Sequence, residues 1–263
     1  MDGLGRLEYR GYDSAGVALV GPSGLDVVKE AGKLSGLRAI LEATPPAPAT
    51  AGIGHTRWAT HGGPTTANAH PHRAGSLAVV HNGIIENHEE LRSALKAKGD
   101  EFSSQTDTEV VAHLVHSLVL TGLNLTDAVA AAVKQLHGAY ALAVISSREP
   151  GTVVGTRRGS PLLLGVGGQG TGKGENFLSS DTSALLQVTR HVVYLDEGDL
   201  VTLTRDGYTI RDADGQPATR QVTESQLSAD AVELGIYDHY MQKEIFEQPG
   251  AIGNTLEMIE YAS

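Results

Sequence analysis

The chain has 263 residues, 40% hydrophobic and 19% charged, enough to bury a sizeable core and unlike a disordered, collagenous or coiled-coil sequence. Twenty Lys and Arg against 31 Asp and Glu leave a net charge of -11, which argues against nucleic acid and anionic membrane as partners. No cysteine is present, so disulfides, thiolate metal sites and every cysteine-nucleophile mechanism are outside the reach of these residues alone.

In chain order, short β-branched runs bounded by turn residues predict strands at GVALV (16–20), LDVVKE (25–30), AGIGHTR (51–57) and LAVVHNG (77–83). Apolar residues recurring at three and four predict helices over 34–43, 86–99, 107–122 and 125–138. The third of these opens at Thr106-Asp-Thr-Glu109, which reads both as a helix cap and as a carboxylate offered to an ammonium group. After residue 138 the pattern turns to strands (AYALAVISS, TVVGTRR, PLLLGVG, ENFLSS, VVYLDEGDLVTLT and YTIRD), with SALLQVT (183–189) the one helical stretch. Strands on both sides of a helical pair predict a layered α+β domain rather than βαβ winding. The expected division is a domain over 1–225 and a polar, helical connector over 226–263. No apolar run reaches the length of a membrane span and MDGLGRLEYR has no signal core, so a cytoplasmic location is expected.

Several motifs compete for the chemistry. GGQGTGKG (167–174) approaches a phosphate-cradling loop, but Gly174 stands where a magnesium-binding hydroxyl is needed and a strand is expected to follow, so a hairpin turn explains it better. The eleven histidines lack a ligand pattern such as H-E-x-x-H, and are read as surface or hydrogen-bonding groups; no metal is expected. Arg57 suits a carboxylate, and Trp58, the single tryptophan, suits a cover over a small ligand. Asn82-Gly83 is ordinarily a hairpin turn, yet it follows a strand and precedes a helix, and a side-chain amide beside an unobstructed backbone N–H makes an oxyanion hole. Taken together with Asp107 as the carboxylate for an ammonium group, these groups describe a site for an amino acid with a reactive side-chain carbonyl, and glutamine fits.

LEYRGYDSAG (7–16), GHTRWATHG (54–62), NAHPH (68–72), VVHNGIIENHEELR (79–92), TDTEV (106–110), GSPLLLG (159–165) and HYMQKEIFEQP (239–249) occur in this order. In them the chain resembles the class II glutamine amidotransferases, and within that class the glutamine-fructose-6-phosphate aminotransferases. The resemblance implies the N-terminal-nucleophile hydrolase fold, a four-layer αββα sandwich, here lacking its first strand. It implies that Arg57 binds the carboxylate of L-glutamine and Asp107 its ammonium group, and that Asn82 and Gly83 form the oxyanion hole. Trp58, Thr60 and His61 would close over the substrate, and Arg10 would help order the site. It implies no cofactor, a terminal cysteine as nucleophile, and ammonia passed to fructose 6-phosphate on sugar-phosphate isomerase domains, in a homodimer. Neither that cysteine nor those domains lie within these residues, so the chain is expected to be inactive alone. The alternative from another class is a glutamine-binding or assembly module without catalysis.

Overall fold

The computed structural model describes residues 1–59, 62–167, 174–225, 237, 241–249 and 252. It comprises two compact units, Met1–Gln226 and Leu227–Ser263. In the second, residues 241–249 are helical, Tyr237 stacks on Phe246 with ring centroids 5.7 Å apart, and Lys243 lies 3.7 Å from Glu247.

The first unit opens with a one-turn helix α1 (Asp2–Gly5), then β1 (Ser14–Gly21), β2 (Gly24–Ala31), α2 (Leu34–Ala43) and β3 (Ala51–Arg57). Next come β4 (His72–Ala74), β5 (Leu77–Ile85), α3 (His88–Lys96), α4 (Asp107–Leu120) and α5 (Leu125–Val133). The rest is strand: β6 (Gly138–Ser146), β7 (Val153–Arg158), β8 (Leu163–Val166), β9 (Asn176–Ser179) and β10 (His191–Tyr194), followed by β11 (Leu200–Thr204), β12 (Gly207–Arg211), β13 (Pro217–Ala218) and β14 (Thr223–Glu224).

Three antiparallel sheets result, with orders β2-β1-β3, β14-β10-β8-β9 and β13-β12-β11-β7-β6-β5-β4. Side-chain alternation along the large sheet decides the layering. Leu77, Val79 and Ile85 of β5, with Leu142 and Val144 of β6, meet Val111, Val115, Val129 and Ala132 of α4 and α5. The opposite face presents Ala78, Val80, Ala143 and Ile145 to Ala18, Val20 and Ile53 of the three-stranded sheet. Farther along, Ala141, Val201 and Leu203 meet Leu164 and Val193 of the four-stranded sheet. The two smaller sheets therefore lie side by side on one face of the large one. Outside them, Leu34 and Leu37 of α2 cover Ala15, and Leu185 covers Leu163 and Val192. Helix, sheet, sheet and helix follow in that order, as the resemblance implies. Burial on both faces explains why β5 and β6 read as unbroken apolar runs rather than as alternation.

Several expectations shift. VVYLDEGDLVTLT is two strands in two different sheets: Asp196 to Asp199 form a turn in which the buried Asp199 carboxylate accepts from the Asp196 N–H at 2.8 Å and from Arg220 at 2.7 and 2.9 Å. SALLQVT is no helix but a short 3-10 turn at Thr182–Ala184 followed by further turns. The helix expected over 86–99 spans His88–Lys96, because Asn87 is held to the Gln135 carbonyl and the His137 N–H instead of joining it. Residues 168–173 of the glycine-rich stretch, and most of the expected connector at 226–263, lie outside the described residues. Gly174 leads into β9, hairpinned onto β8, so the helix N-terminus that a phosphate loop needs is not at that place.

Candidate active site

A cavity of about 650 Å³ runs between the two smaller sheets, with the large sheet as its floor. Gly52 to Arg57 of β3 make one wall and Asn176 to Ser179 of β9 the other, while Val80, Ala141 and Ala143 lie beneath. Among the described strands, β3 pairs only with β1 and β9 only with β8, so the cavity separates two unpaired sheet edges.

Arg10, Arg57, Trp58, Asn82, Gly83 and Asp107 all line this one cavity. Thr60 and His61 lie outside the described residues. Asn82 and Gly83 are not a hairpin turn: they sit inside β5, opposite Ala141 and Tyr140 of β6. Gly83 has φ +122°, outside the β region, a conformation that glycine adopts without steric cost. A Cβ there would collide with the Ala139 carbonyl oxygen, so the position excludes a side chain. The Asn82 Oδ1 lies 2.9 Å from Nε2 of His55 on β3.

Asp107 is the first residue of α4 and is buried. Its Oδ2 accepts from the Ile85 N–H at 2.9 Å and lies 3.8 Å from Nδ1 of His81, so the carboxylate is fixed between helix and strand. The positive end of the helix dipole favours an anion at this place. Thr106 caps the same helix, accepting from the Glu109 N–H at 3.3 Å, so the cap and the cavity-facing carboxylate are neighbours rather than rival readings. Arg57 is buried at the end of β3; its guanidinium donates to the Gly62 and Gly63 carbonyls at 3.1 and 3.2 Å and lies 3.7 Å from Asp13. Burial lowers its pKa, and Asp13, then Asp107, oppose that shift by favouring the cation. Asp13 also accepts from the Ala59 N–H, which ties down the residues around Trp58. The Trp58 ring, largely exposed, meets Tyr12 edge-on at 5.4 Å. Arg10 reaches Asp181 at 3.3 Å across the seam between the smaller sheets.

Sequence reasoning missed the supports beneath this site. Arg92 is buried and donates to the Ser104 and Thr106 carbonyls at 3.1 and 2.7 Å, locking the loop that leads into α4. Glu109 accepts from the N–H and hydroxyl groups of Ser103 and Ser104; burial raises its pKa, but these four bonds outweigh burial and hold it below the ordinary value. An arginine three residues before the buried Leu95, on the same face of α3, was the available signal for the first. The histidines expected at the surface or in hydrogen bonds include a buried group, His70, His72 and His81. Among the described residues no set of three acidic or histidine side chains is arranged to hold a metal.

Comparison with known proteins identifies the family. Residues 55–191 match the family described as glutamine amidotransferase domain. The chain is 53% identical over 98% of its length to a glutamine-fructose-6-phosphate aminotransferase of Haemophilus influenzae, and 52% identical over 97% to that of Escherichia coli O6:H1. It spans 41% of the length of each. Among solved structures, the glutamine phosphoribosylpyrophosphate amidotransferase of Bacillus subtilis superposes with a TM-score of 0.66 at 25% identity, over 81% of this chain and 45% of that one. Its fold is of the N-terminal-nucleophile type, and so is the four-layer order found here. The chain belongs to the glutamine amidotransferase family.

Proposed function

We propose that the cavity binds L-glutamine, and that the chain is the glutaminase part of a glutamine-fructose-6-phosphate aminotransferase. The observation that carries this reading is the convergence of Arg57, Asp107, Asn82 and Gly83, from three separate stretches of sequence, on one cavity. In it Arg57 faces the substrate carboxylate, Asp107 its ammonium group, and Asn82 Nδ2 with the Gly83 N–H the side-chain carbonyl oxygen as charge develops on it. Trp58 covers the substrate, a role the resemblance extends to Thr60 and His61, and Arg10 steadies the seam through Asp181.

The nucleophile must come from outside these residues, which contain no cysteine. The unpaired edges of β3 and β9 supply the place for it: an added strand between them would satisfy both edges and deliver its first residue to the cavity. The thiol of that terminal cysteine attacks the glutamine carbonyl as its own α-amino group takes the proton and passes it to the leaving nitrogen; ammonia leaves, and water releases glutamate from the acyl-enzyme. The likeness to glutamine-fructose-6-phosphate aminotransferases supports fructose 6-phosphate as the acceptor of that ammonia. The acceptor site belongs to sugar-phosphate isomerase domains beyond the connector at 226–263, in a cytoplasmic homodimer.

The test is to extend the chain upstream with a cysteine-initiated strand and follow glutamate release. Glutamine hydrolysis is expected to appear, and Asp107→Ala in the extended protein to raise the glutamine KM at least tenfold. Binding of glutamine without hydrolysis in the extended protein would favour the non-catalytic module. No heat of binding at millimolar glutamine, with no hydrolysis, would overturn both.

A further inference from the structure

Three imidazoles form a row that starts in the wall of the cavity. His55 Nε2 lies 2.9 Å from Asn82 Oδ1, the His70 ring packs against His55 at 4.4 Å and against His72 at 5.1 Å, and His72 Nε2 lies 2.9 Å from Thr106 Oγ1. The row thus joins the strand that carries Asn82 to the cap of the helix that carries Asp107. The His55 ring lines the cavity, its Nδ1 is buried, and the tilted His70 ring packs beside it.

An asparagine carboxamide has an acceptor end and a donor end, so whatever meets Oδ1 decides where the NH2 points. The Asn82 Oδ1 meets His55, which leaves Nδ2 as the end of the carboxamide that can serve the cavity Asn82 lines. That arrangement requires a proton on His55 Nε2. Burial lowers the His55 pKa to about 4, so at neutral pH the ring carries a single N–H and its tautomer is decisive. With the proton on Nδ1, Nε2 would be an acceptor, the carboxamide would reverse, and an oxygen would face the developing negative charge.

We propose that His55 is the positioning residue for Asn82: its Nε2–H donates to Asn82 Oδ1 and so presents the Asn82 NH2 to the substrate oxygen. This rests on the reading of Asn82 as an oxyanion donor. His70 supports the geometry by packing against the His55 ring.

The first experiment uses the chain itself, 15N-labelled on histidine, with long-range 1H–15N correlation at pH 7 and the His55 signals assigned by their loss in His55→Gln. The Nε2–H tautomer is expected; the Nδ1–H tautomer overturns the proposal. The second uses the extended, hydrolytically active protein. His55→Phe, which keeps ring volume but removes the donor, is expected to lower kcat about 100-fold with the glutamine KM within threefold, as for loss of one oxyanion-hole donor. His55→Gln, which keeps a donor, is expected to recover part of that loss. If Asn82→Ala fails to slow hydrolysis, the oxyanion reading itself falls. If Asn82→Ala slows it and His55→Phe does not, positioning by His55 falls while the oxyanion reading stands. Should His55→Phe fail to fold, the tautomer of the unaltered protein still decides.

Discussion

Gly83 shows how a single residue can make the site and constrain the fold at once. Its φ of +122° lies where residues with a Cβ are strained, and the Ala139 carbonyl stands where that Cβ would go, with Ser160 Oγ 3.0 Å away. Gly83→Ala is therefore expected to cost about 3 kcal/mol or more, read as a lower urea midpoint or as loss of soluble protein. A midpoint within experimental error of the parent would show that β5 shifts freely, and would remove the steric basis for calling Gly83 irreplaceable. The sequence showed why Asn82-Gly83 deserved a second reading, because an apolar strand led into it and a helix came after. It did not show His55 beside Asn82. That contact depends on the antiparallel register that sets β3 against β1 and on the packing of this sheet over β5, neither of which leaves a mark at positions 55 and 82. Arg92 escaped notice for a similar reason: its partners are main-chain carbonyls, which every residue possesses.

At the scale of elements, the start of α4 has more depending on it than an ordinary helix end. The Thr106 hydroxyl caps the Glu109 N–H and also meets His72 Nε2 and Ser104 Oγ, each at 2.9 Å. Thr106→Ala should cost the cap, about 1 kcal/mol, together with about 1 to 3 kcal/mol for leaving buried His72 without that partner. Thr106→Ser should keep most of both. Denaturant midpoints of the two variants check this, and equal losses in Ala and Ser would show that the methyl group rather than the hydroxyl matters. Elements with unbroken apolar runs, β5, β6 and α4, were legible because burial on both faces or along a broad stripe leaves a strong pattern. The β10–β11 break was less so. Its turn carries Asp196, Gly198 and Asp199, a fair local signal, but the arginine that makes a buried Asp199 tolerable sits 21 residues away.

The whole molecule carries its histidines as a pH liability. Burial lowers His55 to about 4 and His72 to about 3, and moves His70 well below the ordinary value. Neighbouring positive charge pushes in the same direction, from Arg57 on all three and from Lys29 on His72, as do the neighbouring imidazoles His55, His72 and His81 on His70; Glu109 opposes it at His72. Because the folded values lie below the unfolded value of about 6.5, the unfolded chain takes up these protons first as pH falls. The stabilisation is complete above about pH 6.5 and is lost below it, at up to about 1.4 kcal/mol per pH unit for each histidine. Between pH 6.5 and 5 His55 and His72 together amount to as much as ~4 kcal/mol, against a typical total of about 5 to 15, and His70 acts in the same direction. Urea midpoints should therefore fall steeply from pH 7 to pH 5, and acid unfolding should precede protonation of the buried carboxylate Glu109, which its hydrogen bonds hold low. A flat midpoint over that range would mean that water reaches these rings.

Among the described residues the two smaller sheets share no strand ladder, and β3 and β9, which face each other across the seam, are separated by more than a hundred residues of sequence. Each is aligned by its own docking on the large sheet, with side-chain ties such as Arg10 to Asp181 between them. A strand added in the seam, as proposed above, would pair with both edges and act as a crosslink between the two smaller sheets. In such a design the segment that delivers the nucleophile is also a structural member, so the reactive group and the cohesion of the two sheets are gained or lost together.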